Sequence, residues 1–181
     1  GNKKAKHNIN AFSILGGDFG IVMSFAQNRR FVPDITVPVD GTDLVWWDGS
    51  DFSFLFDGSD VGLDKKGPEK IDGLHMLAGF LSPINDGDCL AYLLISTQGP
   101  GKVPNHSGGI LKFSGEDVLG FCVTRWGPDT AGYWHMVVDG SAVGLPRNAT
   151  DSLSLDADGR TLYLTTKKAI KLGGVVGGHS M

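Results

Sequence analysis

Phe56-Asp57-Gly58-Ser59-Asp60-Val61-Gly62-Leu63 recurs 82 residues later as Val138-Asp139-Gly140-Ser141-Ala142-Val143-Gly144-Leu145, with six of eight positions identical. An octamer repeated in so short a chain marks an internal structural repeat, and the flanks extend it. Thr42-Asp43-Leu44-Val45-Trp46-Trp47 precedes the first copy and Glu116-Asp117-Val118-Leu119-Gly120-Phe121 precedes the second. Further upstream, Ile21-Val22-Met23-Ser24-Phe25 matches Leu93-Leu94-Ile95-Ser96-Thr97 and returns as Leu162-Tyr163-Leu164-Thr165-Thr166. Val32-Pro33 and Val103-Pro104 follow their strands at nearly equal distances. The spacing grows from 72 to 74 to 82 along the unit, so the second copy carries insertions in loops, with Asp129 to Gly132 the expected place.

Each unit reads as a series of short strands, over 20–25, 43–48, 52–57 and 70–77 in the first and 90–97, 117–124, 133–139 and 152–156 in the second. Residues 161–166 open a third unit, which divides a single domain into repeats of about 20–89 and 90–160 and a start at 161–181. Phe52, Phe54 and Phe56 alternate with Ser53 and Leu55, the period-2 pattern of a strand with one buried face. Asp-Gly at 48–49, 57–58, 139–140 and 158–159 predicts turns with φ > 0 at glycine between antiparallel neighbours. Leu74, Leu77, Ala78 and Leu81 fall at a helical period, but Gly73, Gly79 and Pro83 favour a strand followed by an irregular loop.

Composition agrees. The 181 residues include 18 Asp against 2 Glu, and 27 Gly against 10 Ala. Asp and Gly make turns, whereas Glu and Ala fill helix interiors, so a helical protein or coiled coil is excluded. A hydrophobic content of 41% with 20% charged residues excludes a disordered chain. The net charge of −4 argues against a nucleic-acid surface, and the basic cluster Lys3, Lys4 and Lys6 reads as a terminal tail. No apolar run approaches the ~20 residues of a membrane helix, so no membrane insertion is expected. Cys89 and Cys122, the two cysteines, sit in strand-like runs where one disulfide and two buried thiols are equally natural.

The octamer, its Asp-led and Phe-rich upstream strands and the sequel Glu69-Lys70-Ile71-Asp72-Gly73-Leu74 together resemble a repeat of bacterial secreted and surface proteins of unknown function. Those repeats are β-propeller-like and carry no known catalytic residue, so the resemblance implies an extracellular or envelope module. The second copy departs from the pattern: Ala142 replaces Asp60, and Ser154 stands near the place of Asp72. Propellers need roughly four to eight blades of four strands. Two units and a start therefore imply smaller blades, several chains in one ring, or a piece of a longer protein. The expected fold is all-β and antiparallel with propeller-like repeats, and a β-sandwich is the alternative.

Candidate functional residues are few. Asp57 and Asp139, with Gly58 and Gly140, read as structural turns rather than as paired catalytic carboxylates. Asp43 and Asp117 recur with the unit in the same way. Asp156-Ala157-Asp158-Gly159 resembles the start of a calcium loop, but Arg160 follows and no Glu closes it; Asn85-Asp86-Gly87-Asp88 is a second oxygen-rich turn. Cofactors and other metals are not expected. His75, His106 and His135 show no repeat-specific ligand spacing, and no Gly-x-Ser-x-Gly elbow or phosphate loop is present. Trp126, Trp47 and Trp46 are the candidates for ligand binding, because adjacent Trp46 and Trp47 must point to opposite faces of a strand and Trp126 precedes Gly127-Pro128 in a loop. The expected function is a non-catalytic binding or structural module with a carbohydrate or protein ligand. The alternatives are a carbohydrate-active hydrolase using loop Asp carboxylates and an oligomeric lectin assembled as a homo-oligomer.

Overall fold

The computed structural model describes residues 8–16, 20–64, 66–78, 89–156, 159–167, 169–172 and 175–177. The strands of these residues pair antiparallel in every sheet, two isolated parallel bridges (Phe56 with Gly127 and Asn105 with Trp134) join loops to strands, and none of the described segments is helical. The first sheet is a meander of β1 (Ile9–Ile14), β2 (Ile21–Phe25), β3 (Leu44–Trp47) and β4 (Phe52–Phe56) in chain order. The second runs β5 (Ile71–Ala78), β6 (Ala91–Thr97), β9 (Val118–Arg125) and β10 (Ala131–Val138). A hairpin of β7 (Gly101–Pro104) and β8 (Ile110–Phe113) interrupts the second meander between β6 and β9. A third sheet pairs β11 (Thr150–Leu155) with β12 (Leu162–Thr166), and β13 (Ile170–Leu172) pairs with β14 (Val175–Gly177).

Hydrogen bonding groups the strands one step earlier than the sequence units do. The last strand of the first unit, β5, opens the second sheet. Register makes the correspondence specific. In the first sheet Met23 faces Val45 and Val45 faces Phe54; in the second Ile95 faces Leu119 and Leu119 faces Met136. The row Ile21, Trp47, Phe52 likewise matches Leu93, Phe121, Trp134.

Bulges recur at the same steps. The pairing of β1 with β2 slips at Asn10, that of β5 with β6 at Asp72, and that of β11 with β12 at Asp151. Asp151, not Ser154, is therefore the counterpart of Asp72; the register places Ser154 level with His75 instead. The outgoing hairpins slip at Leu55 and Val137. A bulge places two successive residues against one partner, so Phe56 leaves the face that Phe52 and Phe54 occupy and is fully buried on the other. The expectation of one buried face for all three phenylalanines fails at that bulge.

The sheets stack in series. Ala11, Val22, Leu44 and Phe56 of the first sheet pack on Leu93, Ile95, Leu119, Phe121 and Trp134 of the second. Tyr92, Leu94, Val118 and Cys122 on the second sheet's opposite face meet Leu153, with Leu155, Leu162 and Leu164, of the third. The central strand β6 is buried along its whole length because both faces are covered, which explains an apolar run in place of an alternating one. Segment 26–43 folds back over the outer face of the first sheet, where Val32, Ile35 and Val39 cover Met23 and Val45. β9 and β10 have 8 residues each, against 4 and 5 in β3 and β4, so the insertion expected in a loop at Asp129 to Gly132 instead extends both strands: the connecting loop is 126–130, and Ala131 and Gly132 are paired in β10.

The repeated octamers are loop clasps with one hydrogen-bond scheme. Asp43 Oδ1 accepts the Gly58 N–H at 3.1 Å and Oδ2 the Asp40 N–H at 2.7 Å. Asp117 does the same with Gly140 at 2.9 Å and Ser114 at 2.7 Å. The Leu63 N–H then closes on the Gly58 carbonyl and the Leu145 N–H on the Gly140 carbonyl. Glycine at 58 and 140 is required by close approach, since a Cβ would run into the carbonyl oxygen of Thr42 or of Glu116. The expected positive φ lies elsewhere in the loop, at Gly62 (97°) and Gly144 (84°). At Gly49 and Gly159 the Asp-Gly turns do adopt it, with φ of 110° and 67°. Cys89 and Cys122 form a disulfide, tying the entry of β6 to its neighbour β9.

Candidate functional site

The first strands of the three sheets lie side by side, with β5 between β1 and β11. Because β1 and β5 are sheet edges, their outward backbone groups need partners. Side chains supply them: the Met76 N–H donates to Ser13 Oγ at 3.1 Å, and Ser24 Oγ donates to the Ile71 carbonyl at 3.0 Å. Asn10 Nδ2 also donates to that carbonyl. Small hydroxyl side chains are suited to this task, since larger ones would hold the strands apart. Between the strands runs a groove of ≈ 400 Å³, whose polar lining comprises Asn10, Ser13, Asp72, His75, Ser152 and Ser154.

Asp72, at its bulge, is the groove's buried acid. Burial raises its pKa, while Lys167 and the Ser96 hydroxyl oppose the rise. Lys167 Nζ sits 2.8 Å from Oδ2 and Ser96 Oγ donates to Oδ1 at 3.0 Å, so both carboxylate oxygens are engaged. Burial also lowers the pKa of His75, which favours its neutral imidazole. The groove thus offers hydroxyls, an amide, a neutral imidazole and an ion-paired carboxylate. That set donates and accepts hydrogen bonds without strong net charge, which suits a polyhydroxylated or amide ligand better than an ion.

The tryptophans do not join this groove. Trp46 packs towards the second sheet and Trp47 towards segment 26–43, on opposite faces as strand geometry requires. Trp126 is half-buried against the core between the first two sheets. Its turn docks on β4: the Gly127 N–H donates to the Leu55 carbonyl at 2.7 Å, and Thr130 Oγ1 accepts the Asp57 N–H at 2.8 Å. Trp134 is a core residue, its Nε1 donating to the Val61 carbonyl at 2.8 Å.

Asp57 and Asp139 shape their turns. Asp57 Oδ1 accepts the Ser59 N–H and hydroxyl, and Asp139 Oδ1 accepts the Ser141 hydroxyl and the Ala142 N–H. The Ser141 hydroxyl and the Ala142 N–H hold the Asp139 carboxyl below its usual pKa. Asp158 and the 85–88 turn lie outside the described residues, as do Lys3, Lys4 and Lys6. The Asp156 N–H donates to the Thr161 carbonyl and its own carbonyl accepts from the Gly159 N–H, which closes a hairpin. Among the described residues no group of three or more His, Cys, Asp or Glu side chains is placed to hold a metal ion.

One cluster is absent from the candidates read in the sequence. On the face of the second sheet towards the third, Tyr92 Oη hydrogen-bonds His135 Nε2, and the His106 ring lies 4.2 Å from that of Tyr133. Gly120 makes the space, since a Cβ there would meet both the Tyr92 hydroxyl and the His135 ring. Burial, then the nearby His106, lowers the His135 pKa, and burial raises that of Tyr92. Gly120 corresponds to Trp46 in the first sheet, so the exchange of Trp for Gly is the trace a residue-by-residue alignment of the two units offers. Set against family models, curated proteins and solved structures, the chain matches none of them.

Proposed function

We propose that this chain is a non-catalytic β-repeat module of propeller-like architecture, serving in binding or structure in a secreted or envelope protein. The supporting observation is how the recurring aspartates are engaged. Asp43 and Asp117 are buried on backbone N–H groups of their own loops, and Asp57 and Asp139 are turn-formers. A hydrolytic pair needs one carboxyl free to donate a proton and another free to attack or activate water. Here the carboxylate lining the groove, Asp72, is held by Lys167 and Ser96.

Propeller-like stacking is favoured over a two-sheet sandwich by the second sheet, which buries both faces. The Cys89–Cys122 disulfide favours an oxidising compartment. The first-strand groove is the ligand site in this reading, and its chemistry favours neutral carbohydrate. Titration of isotope-labelled protein with a panel of oligosaccharides tests it. Shifts confined to Ser13, His75, Ser152 and Ser154 without turnover are expected. Turnover abolished by Asp72→Asn would establish the hydrolase instead.

A further inference from the structure

The outer face of the first sheet carries large apolar residues at the register positions that, in the second sheet, are buried against another sheet. Register sets Phe12 level with Leu74, and Ile14 level with Met76. Leu74 is 2% exposed within the core between the first two sheets, whereas Phe12 is 57% and Ile14 70% exposed. Trp47 and Phe52 are half-buried; their counterparts Phe121 and Trp134 are fully buried. Among the described residues, segment 26–43 covers Met23 and Val45 on this outer face, whereas Phe12 and Ile14 on β1 are exposed, as is Phe31 on that segment.

What covers such a face inside the molecule is the opposite face of a neighbouring sheet, and register identifies the positions it uses along its first two strands. In the first sheet it presents Ala11, Ser13, Val22 and Ser24, all buried. The third sheet presents Ser152, Ser154, Tyr163 and Thr165 at the corresponding positions, all exposed. The outer face of the first sheet and the free face of the third thus stand in the register relation that the paired faces have at the interface between the first two sheets.

Resting on the repeat-module reading, we infer that a second copy of this chain docks head-to-tail, seating the β11–β12 face of one copy on the Phe12 and Ile14 face of the other. The stack of sheets thereby continues across the junction. Such a heterologous contact leaves one complementary face free at each end, so association proceeds to a closed ring or an open chain.

Sedimentation and light scattering across a concentration series test this with the intact chain. Mass rising with concentration is expected. Ile14→Arg and Tyr163→Arg, both at exposed positions, are each expected to give monomers with unchanged melting temperature. An equimolar mixture of the two variants retains one intact face on each protein, so it is expected to form two-copy complexes and stop there. A wild-type monomer at every concentration overturns the inference, while the oligosaccharide titration judges the module reading separately through Ser13 and His75, which line the groove but lie outside the two docking faces. Association insensitive to Tyr163→Arg overturns it too, because two outer faces would then be meeting each other.

Discussion

Asp43→Asn, followed against pH, tests whether the repeated aspartates are structural. Asp43 is 4% exposed. Burial pushes its carboxyl up from 3.8 to about 7; the Asp40 N–H opposes this, the Asp57 charge adds to it, and the Gly58 N–H opposes it. The folded protein therefore holds a proton on Asp43 between those values that the unfolded chain releases. Stability from this group is complete below the unfolded value and declines as pH rises to about 7. A pKa difference of about three corresponds to about 4 kcal/mol. Asparagine has no such dependence, but its amide group faces one of the two backbone donors that Asp43 satisfies, which costs about 1–3 kcal/mol. Urea denaturation of both proteins from pH 4 to pH 8 is the assay, and subtracting the variant's curve cancels the titrating groups that do not interact with Asp43. Wild type should be the more stable at pH 4, and the advantage should vanish or reverse by pH 8. A difference independent of pH, or one growing with pH, would refute the buried-acid argument.

Three further outcomes are expected. Reducing the Cys89–Cys122 disulfide, which spans 33 residues, should lower stability by about 4 kcal/mol on loop-closure grounds; an unmoved denaturation midpoint with both thiols shown to be free would contradict it. Gly58→Ala and Gly140→Ala should each cost about 1–3 kcal/mol or more, because the added methyl meets a backbone carbonyl that cannot rotate away. Thermal melts of the two should fall together, and normal stability in either would remove the close-approach explanation. Trp126→Ala should lower stability by about 1–3 kcal/mol, as expected for a half-buried core contact; an unchanged melt with lost ligand binding would instead make Trp126 a binding residue.

The two octamers, the Asp-Gly turns and the alternating phenylalanines were legible as strands and turns because strand periodicity and turn chemistry are local. β5 was legible against the helical spacing of Leu74, Leu77 and Ala78, since Gly73 opposes a helix. The groove was much less so. Its residues come from β1, β5 and β11, more than sixty residues apart in chain order, and include serines that look like ordinary exposed positions. The bulges at Asn10, Asp72 and Asp151 had no local mark either, because a register slip is a property of a strand pair. For that reason Ser154 looked like the counterpart of Asp72 until pairing identified Asp151.

By itself the amino-acid sequence determined the all-β character, the repeat and the aspartates that punctuate it. These follow from backbone preferences of glycine and aspartate and from apolar periodicity, which act within a few residues. Tertiary structure decided which strand opens each sheet, why glycine stands at 58 and 140, how Cys89 and Cys122 pair and where Trp126 rests. Those outcomes depend on distances between segments remote in the chain. The excess of aspartate over glutamate takes its meaning from both levels: a short carboxylate reaches the N–H groups of its own loop, and only the folded clasp shows Asp43 and Asp117 doing so.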